Sequence, residues 1–209
     1  MPEITSYWRG LAENQLASYQ QDQGNTNHCA KFAAASTLNM LYSTSISGQV
    51  LVDWLNTRLL RGTLRYTILG NNHGSLNFQT ANLIRQLGRL NQLYPKVKSR
   101  IYTSEKVKNT LKDNNTLSLV TVTYFKGREP NIAHDRKTTS ALGNTSWVGG
   151  HVMILGAYDP AHQNDVGLPT PWGFISSWPG KDYLYWMTEE DFTHSWGRLS
   201  LFNTVTVTR

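Results

Sequence analysis

Cys29 is the single cysteine of a 209-residue chain, and it stands where a Gly/Asn loop, QGNTNH, gives way to an alanine-rich run, AKFAAAS. A lone cysteine has three readings: a small buried hydrophobe, half of an intermolecular disulfide, or a nucleophile. The third requires ionisation, and the first turn of a helix favours a thiolate because its unpaired N–H groups and dipole stabilise negative charge. It also requires a base, and six histidines compete for that role. His28 adjoins the cysteine, but successive residues at a helix start point in different directions, and it reads as an exposed loop residue. His73, His134 and His162 sit in polar loops, and His194 follows a short acidic turn. His151 differs. The stretch GGHVMILGAYDP puts it directly after Gly149 and Gly150 and at the start of an apolar strand, where backbone approaches closely and an imidazole can face a cleft.

The elements that must position these residues change period along the chain. From Cys29 to about Tyr42 small and apolar residues dominate, which predicts a buried helix capped by Thr26 or Asn27 with Cys29 in its first turn. Before it, Trp8, Leu11, Leu16 and Tyr19 form a short amphipathic stretch suited to lie across the domain surface. Further helices are expected over Val50–Leu60 and, after the connection Leu69–Ser75, over Phe78–Leu93, with a short one at Glu105–Lys112. The second half alternates and is rich in β-branched and aromatic residues: Thr116–Phe125, His151–Tyr158, Trp172–Trp178, Tyr183–Met187 and Leu199–Val207. A polar loop of more than twenty residues, Lys126 to Val148, separates the first two strands. Helices first and strands later predict a single α+β domain, mainly helical over 1–115 and mainly β over 116–209, with an antiparallel sheet and a cleft between the two parts.

Composition narrows the function classes. One cysteine excludes an intrachain disulfide, so burial must supply stability, and seven Trp and ten Tyr are suited to it. The net charge of +6 comes from scattered residues whose densest cluster is Lys96, Lys98 and Arg100, which reads as a solvated basic surface and not as a nucleic-acid footprint. No run is long and apolar enough to cross a bilayer, and the first twenty residues lack a basic stretch followed by an apolar core. A soluble protein is expected, either cytoplasmic or the mature form of a secreted one, with no inhibitory prosegment ahead of the cysteine. No His, Cys or carboxylate cluster has metal-ligand spacing, so neither a metal nor another cofactor is expected.

Three stretches together carry a resemblance. QGNTNHCAKFA resembles the papain-superfamily signature in which a Gln, then a Gly, precedes the catalytic Cys, with a Phe three positions after it. GGHVMILGAYDP resembles the second signature, a small residue before the catalytic His at a strand start. WGFISSWPGKDYLYW resembles the third, in which a strand, Asn-Ser-Trp-Gly and an aromatic strand supply the residue that orients the His. All three occur in the family's order, and the intervening segments are similar to those of compact bacterial relatives such as bacteriocin-processing peptidases.

The resemblance implies a papain-like fold and a cysteine peptidase acting on a peptide or protein. Cys29 would be the nucleophile and His151 its proton partner, with Gln23 and the Cys29 N–H as the oxyanion hole. Trp178 would shield the pair, and Gly149 and Gly150 would leave room for substrate backbone. Two departures stand out. The familiar Cys-Gly-Ser-Cys-Trp is absent, and aligning Trp178 puts Ser176 where the family has Asn. A hydroxyl accepts a hydrogen bond from imidazole more weakly and over a shorter reach, which leaves three alternatives: Ser176 orients the ring, another residue does so with Asp159 of the YDP turn the nearest acidic candidate, or the third member is absent. An acyltransferase or amidase, and a binding module without turnover, are the alternatives on the same fold.

Overall fold

The structure, a computed structural model, describes residues 5–24, 26, 28–56, 75–125, 130–134, 137–140, 148–178 and 183–209. In chain order the elements are β1 (Ser6–Tyr7), α1 (Glu13–Ala17), α2 (Cys29–Tyr42), α3 (Gln49–Asn56), α4 (Asn77–Leu90), β2 (Lys96–Ile101), α5 (Ser104–Asn109), β3 (Thr116–Phe125), β4 (Asn131–His134), β5 (Lys137–Ser140), β6 (Val148–Tyr158), β7 (Trp172–Ile175), β8 (Tyr185–Met187), α6 (Glu189–Phe192) and β9 (Asn203–Thr208). The helical half is thus mainly helical, with two strands, β1 and β2, that the sequence pattern does not reveal. The last residues of the helix expected over Val50–Leu60 and most of the Leu69–Ser75 connection lie outside the described residues.

Helix α2 is buried along nearly its whole length, from Cys29 to Leu41. It packs against α3, α4, β3 and β6. A helix enclosed by so many neighbours has no solvated face to give to large polar groups, and alanine at 30, 33, 34 and 35 lets the backbones approach. Its buried polar side chains find partners nearby. Ser36 donates to the Tyr19 carbonyl at 2.7 Å and Thr37 to the Ala33 carbonyl at 2.7 Å. Asn39 donates to the Ile46 carbonyl at 2.9 Å and accepts from the Ile46 N–H at 2.7 Å. Each therefore avoids the cost of an unsatisfied buried group.

The strands form one antiparallel sheet in the order β2-β9-β3-β6-β7-β8-β4-β5, with β1 joining β6. β6 lies near its middle. Seven of its residues, Val148 to Ile154, pair with β3 from Phe125 back to Leu119, and the stretch from Ile154 to Tyr158 pairs with β7 across a register shift between Leu155 and Ala157. The polar stretch expected to be a long loop carries a hairpin instead. β4 pairs with β5 from Asn131↔Ser140 to His134↔Lys137, and β4 also pairs with β8. Backbone pairing accounts for those polar residues where hydrophobic alternation is missing. At the other end β2 is the outermost strand, with Val97 buried and Lys96, Lys98 and Arg100 exposed.

Aromatic side chains fill the core beside the sheet, where Trp172, Phe174, Trp186, Phe192 and Trp196 are all buried. The N-terminal stretch does not lie on the surface. Trp8 and Leu16 are fully buried, and the Trp8 indole N–H donates to the Thr116 carbonyl at 2.9 Å. Trp186 is fixed on two sides, stacked at 3.8 Å on His162 and donating its indole N–H to Glu13 Oε1 at 2.9 Å. That anchoring makes Gly173 of β7 indispensable, because a Cβ there would stand 2.9 Å from the Trp186 ring and 3.1 Å from the Ala157 Cβ. Gly173→Ala should lower unfolding stability by about 1–3 kcal/mol, the usual cost of overpacking. Denaturant titration of the two proteins checks this.

Candidate active site

Cys29 begins α2, and the residue before it, His28, makes no side-chain cap. Thr26 does not cap either, since its hydroxyl donates to the Gln23 carbonyl at 2.6 Å; Asn27 lies outside the described residues. The thiol is buried, with 6% of the residue exposed, and so does not open directly onto solvent as the sequence suggests. Burial pushes the Cys29 thiol up from its ordinary value. The backbone N–H groups of Val152, Ala30 and Cys29 itself, with the charge of Lys31, pull the other way without overcoming it. The helix start thus helps the thiolate, as expected, but desolvation dominates.

Val152 links the two halves of the site, because it follows His151 on β6. His151 is buried and held on two sides. Its Nε2 lies 2.8 Å from Ser176 Oγ, and its ring stacks on Trp178 with 4.0 Å between centroids and planes 12° apart. Trp178 meets Tyr185 edge-on at 4.9 Å. Among the described residues no hydrogen bond joins the imidazole to the thiol. Burial lowers the basicity of His151 to about 3. With no carboxylate beside it among the described residues, the ring is neutral over the ordinary pH range, and Nδ1 keeps a lone pair when Nε2–H donates to Ser176.

Of the two candidate orienting residues, Ser176 is the one at the imidazole. Asp159 Oδ1 instead accepts from the Thr5 hydroxyl at 3.0 Å and the Ala161 N–H at 3.0 Å. Gly150 is exposed at the start of β6, and Gly149 pairs with Tyr124 there. Gln23 is held away from an oxyanion role in this arrangement. Its Oε1 accepts from the Ser177 hydroxyl at 2.6 Å, and its amide nitrogen donates to the Thr26 carbonyl.

The residues most plainly missed by sequence reading are the other glutamines of the QQDQ run. Gln20 Oε1 accepts from the Ser176 N–H at 3.1 Å while its Nε2 donates to the Tyr183 carbonyl at 2.9 Å. Gln21 bridges to the Ile46 carbonyl and the Gly48 N–H at 2.9 and 2.8 Å. The Gln23 N–H donates to the Ser177 carbonyl at 2.9 Å. Two of these glutamines, Gln20 and Gln23, therefore clamp the segment before Cys29 to the segment that carries Ser176 and Trp178, while Gln21 ties it to the turn at Ile46 and Gly48. The clustering of amides just ahead of the cysteine was the available signal. His28 was also misjudged as exposed: it is half-buried, with Nδ1 2.7 Å from the Lys31 Nζ.

A groove of about 390 Å³ lined by Thr5, Tyr7 and the stretch from Gly10 to Glu13 includes none of these side chains. No group of three or more His, Cys, Asp or Glu among the described residues is arranged to hold a metal, and no helix among them is long and apolar enough to cross a membrane.

No protein-family model and no curated protein sequence matches this chain. A solved structure does. The crystal structure of a "putative C39-like peptidase" from Bacillus anthracis superposes with a TM-score of 0.60, covering 99% of this chain and 98% of that one at 10% identity. The chain has a papain-like α+β fold. Within that fold α2 is the helix that begins with Cys29 and β6 the strand that carries His151.

Burying a neutral imidazole couples stability to pH. The unfolded His151 takes its proton near the ordinary value of 6.5 and the folded one near 3, so in that interval the unfolded state binds more protons. The stability contributed by His151 is full above the upper value and is lost as pH falls toward the lower one, at a slope approaching about 1.4 kcal/mol per pH unit. Denaturation midpoints measured from pH 7 down to pH 4 should fall more steeply for the wild type than for His151→Gln.

Proposed function

We propose that this chain is a cysteine peptidase of papain type, acting on a peptide or protein through a thioester on Cys29, and allied to the compact bacterial enzymes that resemble bacteriocin-processing peptidases. The observation that carries the reading is the holding of His151, with Ser176 at 2.8 Å on one nitrogen and Trp178 stacked on its face. Such fixing has a use in proton transfer, since it leaves one tautomer and one direction for the second nitrogen.

In this mechanism neutral His151 takes the thiol proton through Nδ1 as Cys29 Sγ attacks the carbonyl carbon. The C–N bond then breaks, and the imidazolium returns the proton to the leaving amine. Water attacks the thioester next, with His151 again as base, and the acid is released. Ser176 orients the ring through Nε2 and Trp178 keeps water from that hydrogen bond. The Cys29 N–H and the Gln23 amide form the oxyanion hole, which requires Gln23 to leave its present bond to Thr26. Gly149 and Gly150 admit the substrate backbone.

A second reading, a binding module that keeps the fold without turnover, is favoured by the burial of Cys29 and by the occupied amide of Gln23. A peptide carrying an irreversible thiol-directed group separates the two: stoichiometric, time-dependent modification of Cys29 supports the peptidase, and no modification supports the module.

Cys29→Ser should abolish hydrolysis of a peptide pool while thermal unfolding stays close to wild type; retained hydrolysis rules out the nucleophile. Ser176→Ala should reduce kcat by an amount corresponding to about 1–3 kcal/mol, the cost of unpairing a buried polar group. Asp159→Ala should leave kcat within about twofold of wild type, a change under 0.5 kcal/mol. The reverse pattern would transfer the orienting role to Asp159.

A further inference from the structure

Lys31 is one of the most deeply buried charged residues of the described structure, with 3% of the residue exposed, on the first turn of the nucleophile helix. Its Nζ lies 2.7 Å from His28 Nδ1. Among the described residues no carboxylate forms an ion pair with it. A buried ammonium without an anion is costly, and proteins ordinarily neutralise it or supply a counter-charge. Its side-chain partner is His28 of the preceding loop, whose uncharged nitrogen accepts a hydrogen bond from the ammonium, and Cys29 stands two positions before it in the same first turn.

We propose that the Lys31 ammonium, held by His28 Nδ1, is the cation that stabilises the Cys29 thiolate, in place of an imidazolium at His151. The inference rests on the peptidase reading for its purpose but not for its test. Lys31 acts through charge and touches neither substrate nor reacting bond. His28 holds the amine end so that its charge stays near the helix start, and with Nδ1 as acceptor the His28 proton sits on Nε2. Electrostatics agrees in both directions. Lys31 pulls the Cys29 thiol down against its burial, and Cys29 raises Lys31, whose basicity burial otherwise lowers to about 8. An amine of that strength is mostly charged at neutral pH. The imidazole, by contrast, is kept neutral by burial and remains free to act as the base.

The test is the rate of Cys29 alkylation by iodoacetamide from pH 5 to pH 9 in the intact chain, for wild type, Lys31→Met and Lys31→Arg. Loss of the charge should slow labelling at pH 7 by roughly tenfold or more, the equivalent of one pKa unit, and move the inflection upward; Lys31→Arg should stay close to wild type. Superimposable wild-type and Lys31→Met profiles would overturn the proposal. So would a Lys31→Arg profile as slow as that of Lys31→Met, because packing and not charge would then be at work. Exchanging a buried charge for an apolar chain is often neutral or stabilising, and Lys31→Gln serves in its place should Lys31→Met fold poorly. Peptide hydrolysis by the wild type, measured alongside, separates the two ideas. Unshifted labelling in a chain that cleaves peptides removes the Lys31 inference alone, and shifted labelling in a chain that cleaves nothing removes the peptidase reading alone.

Discussion

The enclosure of α2 governs the rest of the molecule. Helices on one side and the sheet on the other leave the helix no wet face, so its residues are small or apolar, or are polar groups that reach a nearby partner: backbone for Ser36, Thr37 and Asn39, and the His28 ring for Lys31. That restriction places the thiol. A residue at the start of a helix fixed on several sides cannot wander, and β6, which α2 packs against, brings the Val152 N–H to the same point. The geometry of the candidate site is thus largely the geometry of one helix lying against one strand.

The same enclosure sets the electrostatics. Dry surroundings disfavour charge on Cys29 and on His151 alike, so the resting site is a neutral thiol beside a neutral ring. Two neutral partners lack the mutual Coulomb attraction that would hold an ion pair together. Order has to come from elsewhere. The hydroxyl of Ser176 and the indole of Trp178 hold the ring, and the glutamines at 20 and 23 fasten the segment before the helix to the segment after β7. The group on the histidine is a short hydroxyl, and the backbone behind that hydroxyl is pinned by an amide from another part of the sequence.

What was legible in the sequence follows from which forces leave a periodic trace. Helix α2 and strand β3 could be bounded from composition and alternation alone, because burial on every side or on one face writes itself into residue types. The expectation that Cys29 and His151 act together came from the order of three short stretches. Other features left no such trace. Strand β2 has Val97 as its one buried residue, and the β4–β5 hairpin runs through polar residues joined by main-chain hydrogen bonds, so neither has a hydrophobic rhythm. The burial of Trp8 depends on a carbonyl more than a hundred positions away. His28 looked like a surface residue because its residue type named no partner, and Gln20 acquires its meaning only once Ser176 is beside it.

The outermost strand β2 shows how the basic character of the chain is spent. An open sheet edge offers unpaired N–H and C=O groups to any extended chain, including another copy of itself. Lys96, Lys98 and Arg100 project from this strand into solvent with no acidic residue among them. Two such edges brought together antiparallel would set ammonium and guanidinium groups against one another across the new ladder, a destabilising arrangement. The positive edge thus works against the growth of the sheet from molecule to molecule, keeping a protein with a long open ladder from becoming the seed of a fibre.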